Sequence, residues 1–518
     1  MTGDIQPEKA HLPELSKLVR GGGINFGGSI GSKGILFFLT LIFAKVLGPS
    51  DVGIYFLGTT ICEFMAFTAN LGLPAGMIRY VAIYNERNDQ QRIKGTILGG
   101  AAFTFLAGTL AGAILFLSAD FAAAFIFHKP ALGYVLKVFS LSIPFECLMR
   151  TFTASTLGLK VMEHTAYIEH LAWVGLRLLL AVVFIFGFNM GLKGGVWAYT
   201  ISSIICAGMA CYYASDLIPL FRKQVTPVFE NKELLTFSVP MVLSSMVNEL
   251  MRNEDVLMLG YFVSAAEVGI YSIAVKILNF VEAVFQTFRP MFNPMVAELH
   301  EKEEFTKLSH LLKLITRWNI TISCPIFLCI LLFPEFSLSI FSKEFIGGAG
   351  CLRILALGSI IVSLSSYPDS LIFMSGRSHI VLINTFIALI VNFIVNYLLI
   401  PGYGITGAAL GTLAAFLVVS LLSISAAYSL MKIHPLSTSL WKPIVAGCIP
   451  LFILFTINKW LSFRSNTITV SLMALFTLLY FIFIYWFGLG EDELYVMNKI
   501  REKIAFAIQS KGMPTIES

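Results

Sequence analysis

The chain has 518 residues, of which 57% are hydrophobic and 13% are charged, and its mean hydropathy is +0.80. Soluble domains average about 45–50% apolar and about 25% charged residues, so this composition excludes a water-soluble protein. About 20 apolar residues span a bilayer, which leaves no room for a large soluble domain beside a full set of spans. The net charge of +5 is too small to indicate a nucleic acid partner.

Apolar stretches separated by short polar connections predict fourteen transmembrane helices. They cover residues 22–46, 53–83, 95–118, 132–157, 166–188, 194–215, 233–262, 267–295, 309–333, 351–374, 380–400, 404–430, 441–460 and 467–487. The predicted fold class is therefore an all-α polytopic membrane protein. An even number of spans places both termini on the same side of the membrane.

The distribution of Lys and Arg predicts which side that is. With both termini inside, 20 of the 36 basic residues lie in inner segments and 5 lie in outer connections. Basic residues are retained in the cytoplasm, so we expect a multi-pass protein of the cell (inner) membrane with both termini cytoplasmic. In the C-tail, an apolar helical spacing predicts an amphipathic helix on the inner surface; a solvated tail without function is the alternative.

An internal repeat divides the chain. Val52-Gly-Ile-Tyr55 recurs as Val268-Gly-Ile-Tyr271, an offset of 216, and Gly191-Leu-Lys-Gly194 corresponds to Gly404-Ile-Thr-Gly407, an offset of 213. A weaker match joins the end of the second segment to the end of the eighth. The matched positions predict two pseudo-symmetric six-helix lobes, with the last two helices as accessories, and such lobes enclose a substrate cavity at mid-membrane.

The predicted organisation has six parts. They are a cytoplasmic N-tail at 1–21, an N-lobe (helices 1–6) at 22–216, a cytoplasmic linker at 217–232, a C-lobe (helices 7–12) at 233–430, accessory helices at 441–487 and a cytoplasmic C-tail at 488–518.

Ionisable residues inside predicted spans are the candidate site residues, because each costs about 2.5–3.5 kcal/mol on insertion scales. The basic candidates for binding an anionic ligand are Lys33, Arg150, Arg177, Arg252, Lys276 and Arg289. The acidic candidates for ion coupling or gating are Glu63, Glu146, Glu249, Asp255 and Glu282. Guanidinium groups suit phosphate oxygens. The repeat also predicts that Lys33 and Glu249 lie at similar depth in opposite lobes.

A structural role is the alternative for these charges, since Glu146 with Arg150 and Glu249 with Arg252 are spaced to neutralise each other on one helix face. No nucleotide-binding G-x-x-x-x-G-K-[ST] motif, catalytic triad or metal-ligand constellation is visible in the sequence. We therefore expect a protein that is not an enzyme, has no catalytic or metal-binding residues, and needs no cofactor beyond a coupling ion, H⁺ or Na⁺.

Three stretches resemble the polysaccharide-transporter family, which includes Wzx-type flippases of lipid-linked oligosaccharides. They are Phe43-Ala-Lys-Val-Leu-Gly-Pro-Ser-Asp-Val-Gly-Ile-Tyr55, Asn70-Leu-Gly-Leu-Pro-Ala-Gly-Met-Ile-Arg-Tyr-Val81 and Ile400-Pro-Gly-Tyr-Gly-Ile-Thr-Gly-Ala-Ala409. The resemblance covers about residues 20–487. The family lies in the multidrug/oligosaccharidyl-lipid/polysaccharide flippase superfamily, with the MATE drug exporters and the lipid II flippases.

The resemblance implies a flippase that moves a polyprenyl-diphosphate-linked oligosaccharide repeat unit from the cytoplasmic to the outer leaflet by alternating access, for assembly of O-antigen, capsule or exopolysaccharide. The six basic candidates would attract the diphosphate. The expected partners are the membrane lipid, this lipid-linked oligosaccharide, a polysaccharide polymerase and a chain-length regulator, with no nucleic acid. A lipid II flippase and a MATE-like ion-coupled multidrug exporter are the alternatives.

Overall fold

The computed structural model describes residues 12–218, 225–285, 289–461 and 466–487. Within these ranges the chain is almost entirely helical and contains no strand. The α-helices are α1 (Leu12–Ala69), α2 (Leu73–Glu86), α3 (Gln90–Phe121), α4 (Pro130–Ser140), α5 (Ile143–Gly158), α6 (Glu163–Thr165), α7 (Trp173–Val182), α8 (Gly191–Leu217), α9 (Asn231–Phe262), α10 (Ala265–Phe285), α11 (Arg289–Glu301), α12 (Phe305–Leu332), α13 (Pro334–Ser339), α14 (Ala349–Met374), α15 (Ser378–Met431), α16 (Trp441–Leu461) and α17 (Asn466–Trp486). The all-α membrane fold is confirmed.

Two of these helices join neighbouring predicted segments: α15 contains both 380–400 and 404–430, and α1 contains 22–46 and the first part of 53–83, which breaks after Ala69 and continues as α2. α1 changes direction at Gly48 (φ 75°, ψ 171°), and α15 does so at Gly404 (φ 54°, ψ −132°). Both backbone conformations are strained for residues with a Cβ, so a glycine at each position lets one long helix turn back. α1 also begins at Leu12, ten residues before the predicted start at residue 22. The predicted C-tail helix at 488–518 lies outside the described residues, as do residues 1–11 of the N-tail and 219–224 of the linker.

Eight helices in the described ranges are long and apolar enough to cross a membrane, or nine if the pair α4 and α5, bent by 43°, forms one span. The long helix α15 passes this test as a single helix although it contains the turn at Gly404. The protein is therefore a multi-pass membrane protein, and the number of fourteen spans stays a prediction.

The repeated Val-Gly-Ile-Tyr motif packs against its own copy. A Cβ added to Gly53 would lie 1.8 Å from the Ala265 carbonyl oxygen, and one added to Gly269 would lie 2.0 Å from the Pro49 carbonyl oxygen. Pro49 and Ala265 are separated by the same 216 positions as the two glycines, so the contact is reciprocal. Glycines let two backbones approach this closely. The contact joins the N-terminal half (α1–α8) to the C-terminal half (α9–α15); we call this end of the molecule the Lys129 end.

The opposite end, called here the Arg92 end, is also closed by contacts between the halves. α9 begins against α2 and α3, where Arg92 Nε lies 3.3 Å from Glu230 Oε1 and the Arg79 guanidinium lies 4.4 Å from the centre of the Phe237 ring. A Cβ added to Gly72 would lie 2.2 Å from the Ser238 carbonyl oxygen. The two halves thus touch at both ends of the molecule.

The last two helices lie to one side of this arrangement. α16 and α17 pack against each other and against α12, where Cys324, Ala446 and Tyr480 belong to a small separate apolar cluster. Their attachment through α12 agrees with a position outside the two matched sets of helices. All eight cysteines are free thiols.

Candidate functional site

Glu63 lies in the interior of the molecule, between its two closed ends. It is ten residues after Gly53 and nine before Gly72 along the chain, so a rise of 1.5 Å per residue places it about 14–15 Å from each of these contacts. This distance is about half the thickness of a bilayer core. Polar side chains near Glu63 are therefore near the middle of the membrane.

Basic side chains from both halves converge on Glu63. Arg150 of α5 and Arg177 of α7 interact electrostatically with it from the N-terminal half, and Lys276 of α10 does so from the C-terminal half. Glu249 of α9 is a further electrostatic neighbour, and it connects Arg252 to this group. We call Glu63, Glu146, Arg150, Arg177, Glu249, Arg252 and Lys276 the Glu63 cluster.

The cations of this cluster are not neutralised by direct contact with carboxylates. In the described part of the chain, Lys33, Arg150, Arg177, Arg252, Lys276 and Arg289 form no ion pair, although ion pairs occur elsewhere. The buried Nε atoms of Arg150, Arg177 and Arg289 also have no hydrogen-bond partner there. Buried charges are normally paired, so this arrangement has unused capacity for an anion.

Aromatic rings hold the cations of the Glu63 cluster in place. The guanidinium of Arg177 contacts the rings of Trp173 (4.6 Å) and Tyr199 (4.2 Å), which also contact each other. Phe67 lies 4.5 Å from the Arg150 guanidinium and Phe56 lies 5.2 Å from Lys276 Nζ. Cation–π contacts stabilise a positive charge without cancelling it.

The two expected pairs on single helices do not form as ion pairs. Glu146 accepts a hydrogen bond of 2.8 Å from Ser142, and it influences Arg150 only at longer range. Glu249 accepts a bond of 2.6 Å from Asn253 Nδ2, and the exposed Arg252 stays unpaired within the described ranges. Helix spacing allows such pairs, but in the described ranges each carboxylate instead accepts a hydrogen bond from a neutral side chain, and Glu146 Oε2 has no partner.

The predicted similar depth of Lys33 and Glu249 stays a prediction, and Glu249 is not among the electrostatic neighbours of Lys33 in the described residues. Those neighbours are Glu282 of α10 and Arg252, and Glu282 in turn accepts a hydrogen bond of 2.9 Å from Ser359.

Arg289 also lies away from the Glu63 cluster. It donates to the Ser366 carbonyl oxygen over 3.1 Å, and its electrostatic neighbours are Glu282 and Asp369, whose carboxylate accepts a bond from Ser423. Of the six basic candidates, four are thus brought together, and Lys33 and Arg289 belong to a second group around Glu282.

Asp255 belongs to a separate polar cluster within the C-terminal half. Its carboxylate accepts four hydrogen bonds, from Tyr271 (2.7 Å), Thr412 (2.8 Å), Asn392 (3.1 Å) and Asn396 (2.6 Å). These residues lie on α10 and on both sides of the turn in α15. We call Glu254, Asp255, Tyr271, Asn392, Asn396 and Thr412 the Asp255 cluster.

Three oxygen atoms of the Asp255 cluster have no hydrogen-bond partner among the residues that the structure describes. They are Glu254 Oε1 and the Oδ1 atoms of Asn392 and Asn396, and all are buried. A Cβ added to Gly411 would lie 2.0 and 2.8 Å from the two amide oxygens. The absence of a side chain at this position therefore makes space for both oxygens. Carboxylate, amide and hydroxyl oxygens are ligands for hard cations, and the residues present fit a small cation or a proton.

Sequence reasoning missed the neutral members of the Asp255 cluster. Asn392 and Asn396 are four residues apart in an otherwise apolar helix, and this spacing puts both amides on one face. Amides are costly in lipid without a partner, so this pair was the available signal. The sequence contains no such signal for Thr412 and Tyr271, because both residue types are common on packed membrane helices.

Sequence comparison places this architecture in a family. The profile of the family described as "Polysaccharide biosynthesis protein" matches residues 18–300, more than half of the chain, and the MatE profile matches residues 240–398. The chain belongs to the polysaccharide biosynthesis protein family. It is accordingly an integral membrane transporter or flippase of the superfamily that the sequence resemblance indicated.

Individual relatives agree with this assignment. The probable low-salt glycan biosynthesis flippase Agl15 of Haloferax volcanii is 23% identical over 77% of this chain and 80% of its own. Among solved structures, the lipid II flippase MurJ in an inward closed conformation superposes with a TM-score of 0.72 at 15% identity, covering 89% of this chain and 98% of that one. An inward-facing MATE multidrug transporter gives 0.64 at 15% identity, covering 78% and 94%. These similarities show the fold.

Proposed function

We propose that this member of the family is a flippase that moves a polyprenyl-diphosphate-linked oligosaccharide repeat unit from the cytoplasmic to the outer leaflet, for assembly of a cell-surface polysaccharide. The observation that carries the proposal is the convergence of four cations from both halves. None of the four forms an ion pair with a carboxylate in the described ranges. A diphosphate would supply the direct anionic partner that these cations lack, although Glu63, Glu146, Glu249 and Glu169 already balance their charge at longer range.

The diphosphate would bind to the side chains that have free donors. Arg150 has an unpartnered Nε, and a guanidinium can donate two parallel hydrogen bonds to phosphate oxygens. Lys276 adds a point charge from the other half. Binding between groups of opposite halves favours the closed form, and the prenyl tail stays in lipid.

Transport then requires the two closed ends to open in turn. The excess of basic residues on the predicted inner segments supports an orientation with the Arg92 end and both termini in the cytoplasm and the Lys129 end outside. Opening of the Arg92 end would admit the headgroup, and opening of the Lys129 end would release it to the outer leaflet. Alternating access of this kind moves two matched halves about a fixed site.

The Asp255 cluster is our candidate for the coupling-ion site. Glu254 and Asp255 supply negative charge, and the unpartnered oxygens of Asn392 and Asn396 supply neutral ligands. The bound ion, Na⁺ or H⁺, would link α9 to α15 and so bias the position of α9, whose beginning closes the Arg92 end. Ion binding at this cluster can thereby act on the gate without contact to the substrate.

The test is transport by the purified protein in sealed vesicles. A fluorescent polyprenyl-diphosphate-linked oligosaccharide is loaded on the inner side, and an external lectin reports the sugars that reach the outside. The variants Arg150→Ala and Lys276→Ala should lose about 30-fold or more in rate, since losing one partner of a buried charged contact costs about 2 kcal/mol or more. Lys193→Ala is the matched control, because Lys193 is exposed and lies over the Tyr134 ring of its own half.

The same vesicle assay distinguishes the alternative functions by the substrate that is transported. Transport of lipid II but not of the oligosaccharide lipid would identify a peptidoglycan-precursor flippase, and ion-driven transport of a cationic dye would identify a drug exporter. Unchanged rates in both the Arg150 and Lys276 variants would reject the assigned headgroup site. An exporter of cations is disfavoured because cations outnumber carboxylates in the Glu63 cluster by four to three.

A further inference from the structure

Lys129 joins the two halves of the molecule. It lies in the short connection between α3 and α4, and its Nζ donates to three carbonyl oxygens: Phe127 (3.0 Å) in the same connection, and Gly260 (2.5 Å) and Val263 (2.8 Å) at the end of α9. The last two belong to the C-terminal half. Only 8% of the Lys129 surface is exposed.

The contact satisfies the hydrogen-bonding groups of both Lys129 and the end of α9. An ammonium has three N–H groups, and each of them has an acceptor here. The last carbonyls of a helix have no partner within the helix and carry the negative end of its dipole, so a cation at the end of α9 is stabilised. Burial lowers the pKa of Lys129, and Glu267 of the C-terminal half raises it.

The surroundings of Lys129 place it at the closure itself. The reciprocal contact of Gly53 and Gly269 lies beside it, and a cleft of about 360 Å³ opens between the halves there. Lining residues from both halves include Ser50, Ile54, Phe127, Lys129, Ser264 and Ala265. By contrast, the ion pairs Lys137–Asp120 and Arg353–Glu335 each join residues of a single half.

We propose that Lys129 is a latch, which holds the Lys129 end closed by capping α9 and which must release α9 before that end opens. The inference deepens the proposed function, on which it rests, by naming the group that regulates release on one side. Loss of the latch is expected to raise the population of molecules open at the Lys129 end without any change in the Glu63 cluster.

The test measures opening directly and needs no substrate. Ile54 is 5% exposed and lines the cleft, so the variant Ile54→Cys, with Cys448 replaced by alanine, reports opening through its labelling rate. A membrane-impermeant maleimide is added to sealed vesicles in which the Lys129 end faces outward. Lys129→Met should raise the rate about tenfold or more, the effect of losing charge-assisted hydrogen bonds. Lys129→Arg keeps the charge and should retain most of the closure, and Lys193→Met is the matched control.

Each outcome decides the question. An increase for Lys129→Met, with Lys129→Arg and Lys193→Met close to the parent, supports the latch. The parent rate in Lys129→Met, or an equal increase in Lys193→Met, overturns it. If Lys129→Met does not yield folded protein, Lys129→Gln, whose shorter amide cannot reach all three carbonyls, is read in the same way. Because labelling involves no glycan, failed transport by the parent protein would reject the proposed function and leave the latch standing.

Discussion

Replacing Gly269 by alanine puts a methyl group into the reciprocal contact that closes the Lys129 end. The added Cβ would lie 2.0 Å from the Pro49 carbonyl oxygen, whereas ordinary contacts begin at 3.4 Å, so α1 and α10 have to separate by about 1.4 Å. The obstacle is backbone rather than a flexible side chain, and it cannot rotate away. We therefore expect the closed form to lose stability relative to the open form.

The size of the effect follows from the cost of overpacking, about 1–3 kcal/mol for an extra methyl group in a tight contact. Such a penalty on the closed form raises the ratio of open to closed molecules by about 5-fold to 150-fold, because about 1.4 kcal/mol corresponds to a factor of ten. The reciprocal variant Gly53→Ala, whose Cβ would lie 1.8 Å from the Ala265 oxygen, should produce an effect of the same kind.

The assay is maleimide labelling of Ile54→Cys in sealed vesicles, combined with thermal unfolding of the same variants. Gly350→Ala is the matched control, since a Cβ on this helical glycine meets nothing within 4 Å. Faster labelling with little change in unfolding temperature means that the substitution destabilises the closed form relative to the open form and leaves the overall fold intact. If Gly269→Ala matches Gly350→Ala in both measurements, the reciprocal contact does not close the molecule and the reasoning is wrong.

Two further outcomes follow from the polar clusters. Arg177→Lys should lower the free energy of unfolding by about 1–2 kcal/mol, because the guanidinium that contacts both Trp173 and Tyr199 is replaced by a smaller cation; an unchanged unfolding temperature in detergent would contradict this. If Na⁺ is the coupling ion, NaCl should raise the unfolding temperature of the parent above its value in KCl, and Asn396→Ala should remove the difference. A parent protein insensitive to Na⁺ but sensitive to pH would instead indicate H⁺.

Much of the fold is readable along the chain because hydropathy is a local property. Apolar stretches of sufficient length identified the helices, and the turns of α1 and α15 fall where one predicted segment gives way to the next, at Gly48 between two segments and at Gly404, the first residue of a segment. The repeat of Val-Gly-Ile-Tyr was legible as a sequence match, and its two copies meet face to face. The start of α1 at Leu12 was missed because Arg20 and its polar neighbours precede the apolar run, and a helix can continue beyond the lipid.

The candidate site was only partly predictable. Charges in apolar segments identified Glu63, Arg150 and Lys276, because the cost of burying a charge in lipid is visible in the sequence. The same argument could not state that Lys33 faces Glu282 or that Arg289 lies with Asp369. Which charges meet depends on the rotation of each helix about its axis and on its packing partners, and neither is a local property.

The sequence by itself indicated that this protein lies in a membrane, that it is helical and that it has two matched halves, since transfer of side chains into lipid depends mainly on composition. Only the tertiary structure decided which groups act together: the Glu63 cluster from both halves, the amides around Asp255, and the Lys129 ammonium at the end of α9. These assemblies are made by uncharged residues and backbone carbonyls as much as by ionisable groups. Such atoms contribute little to hydropathy, and only folding brings them within bonding distance.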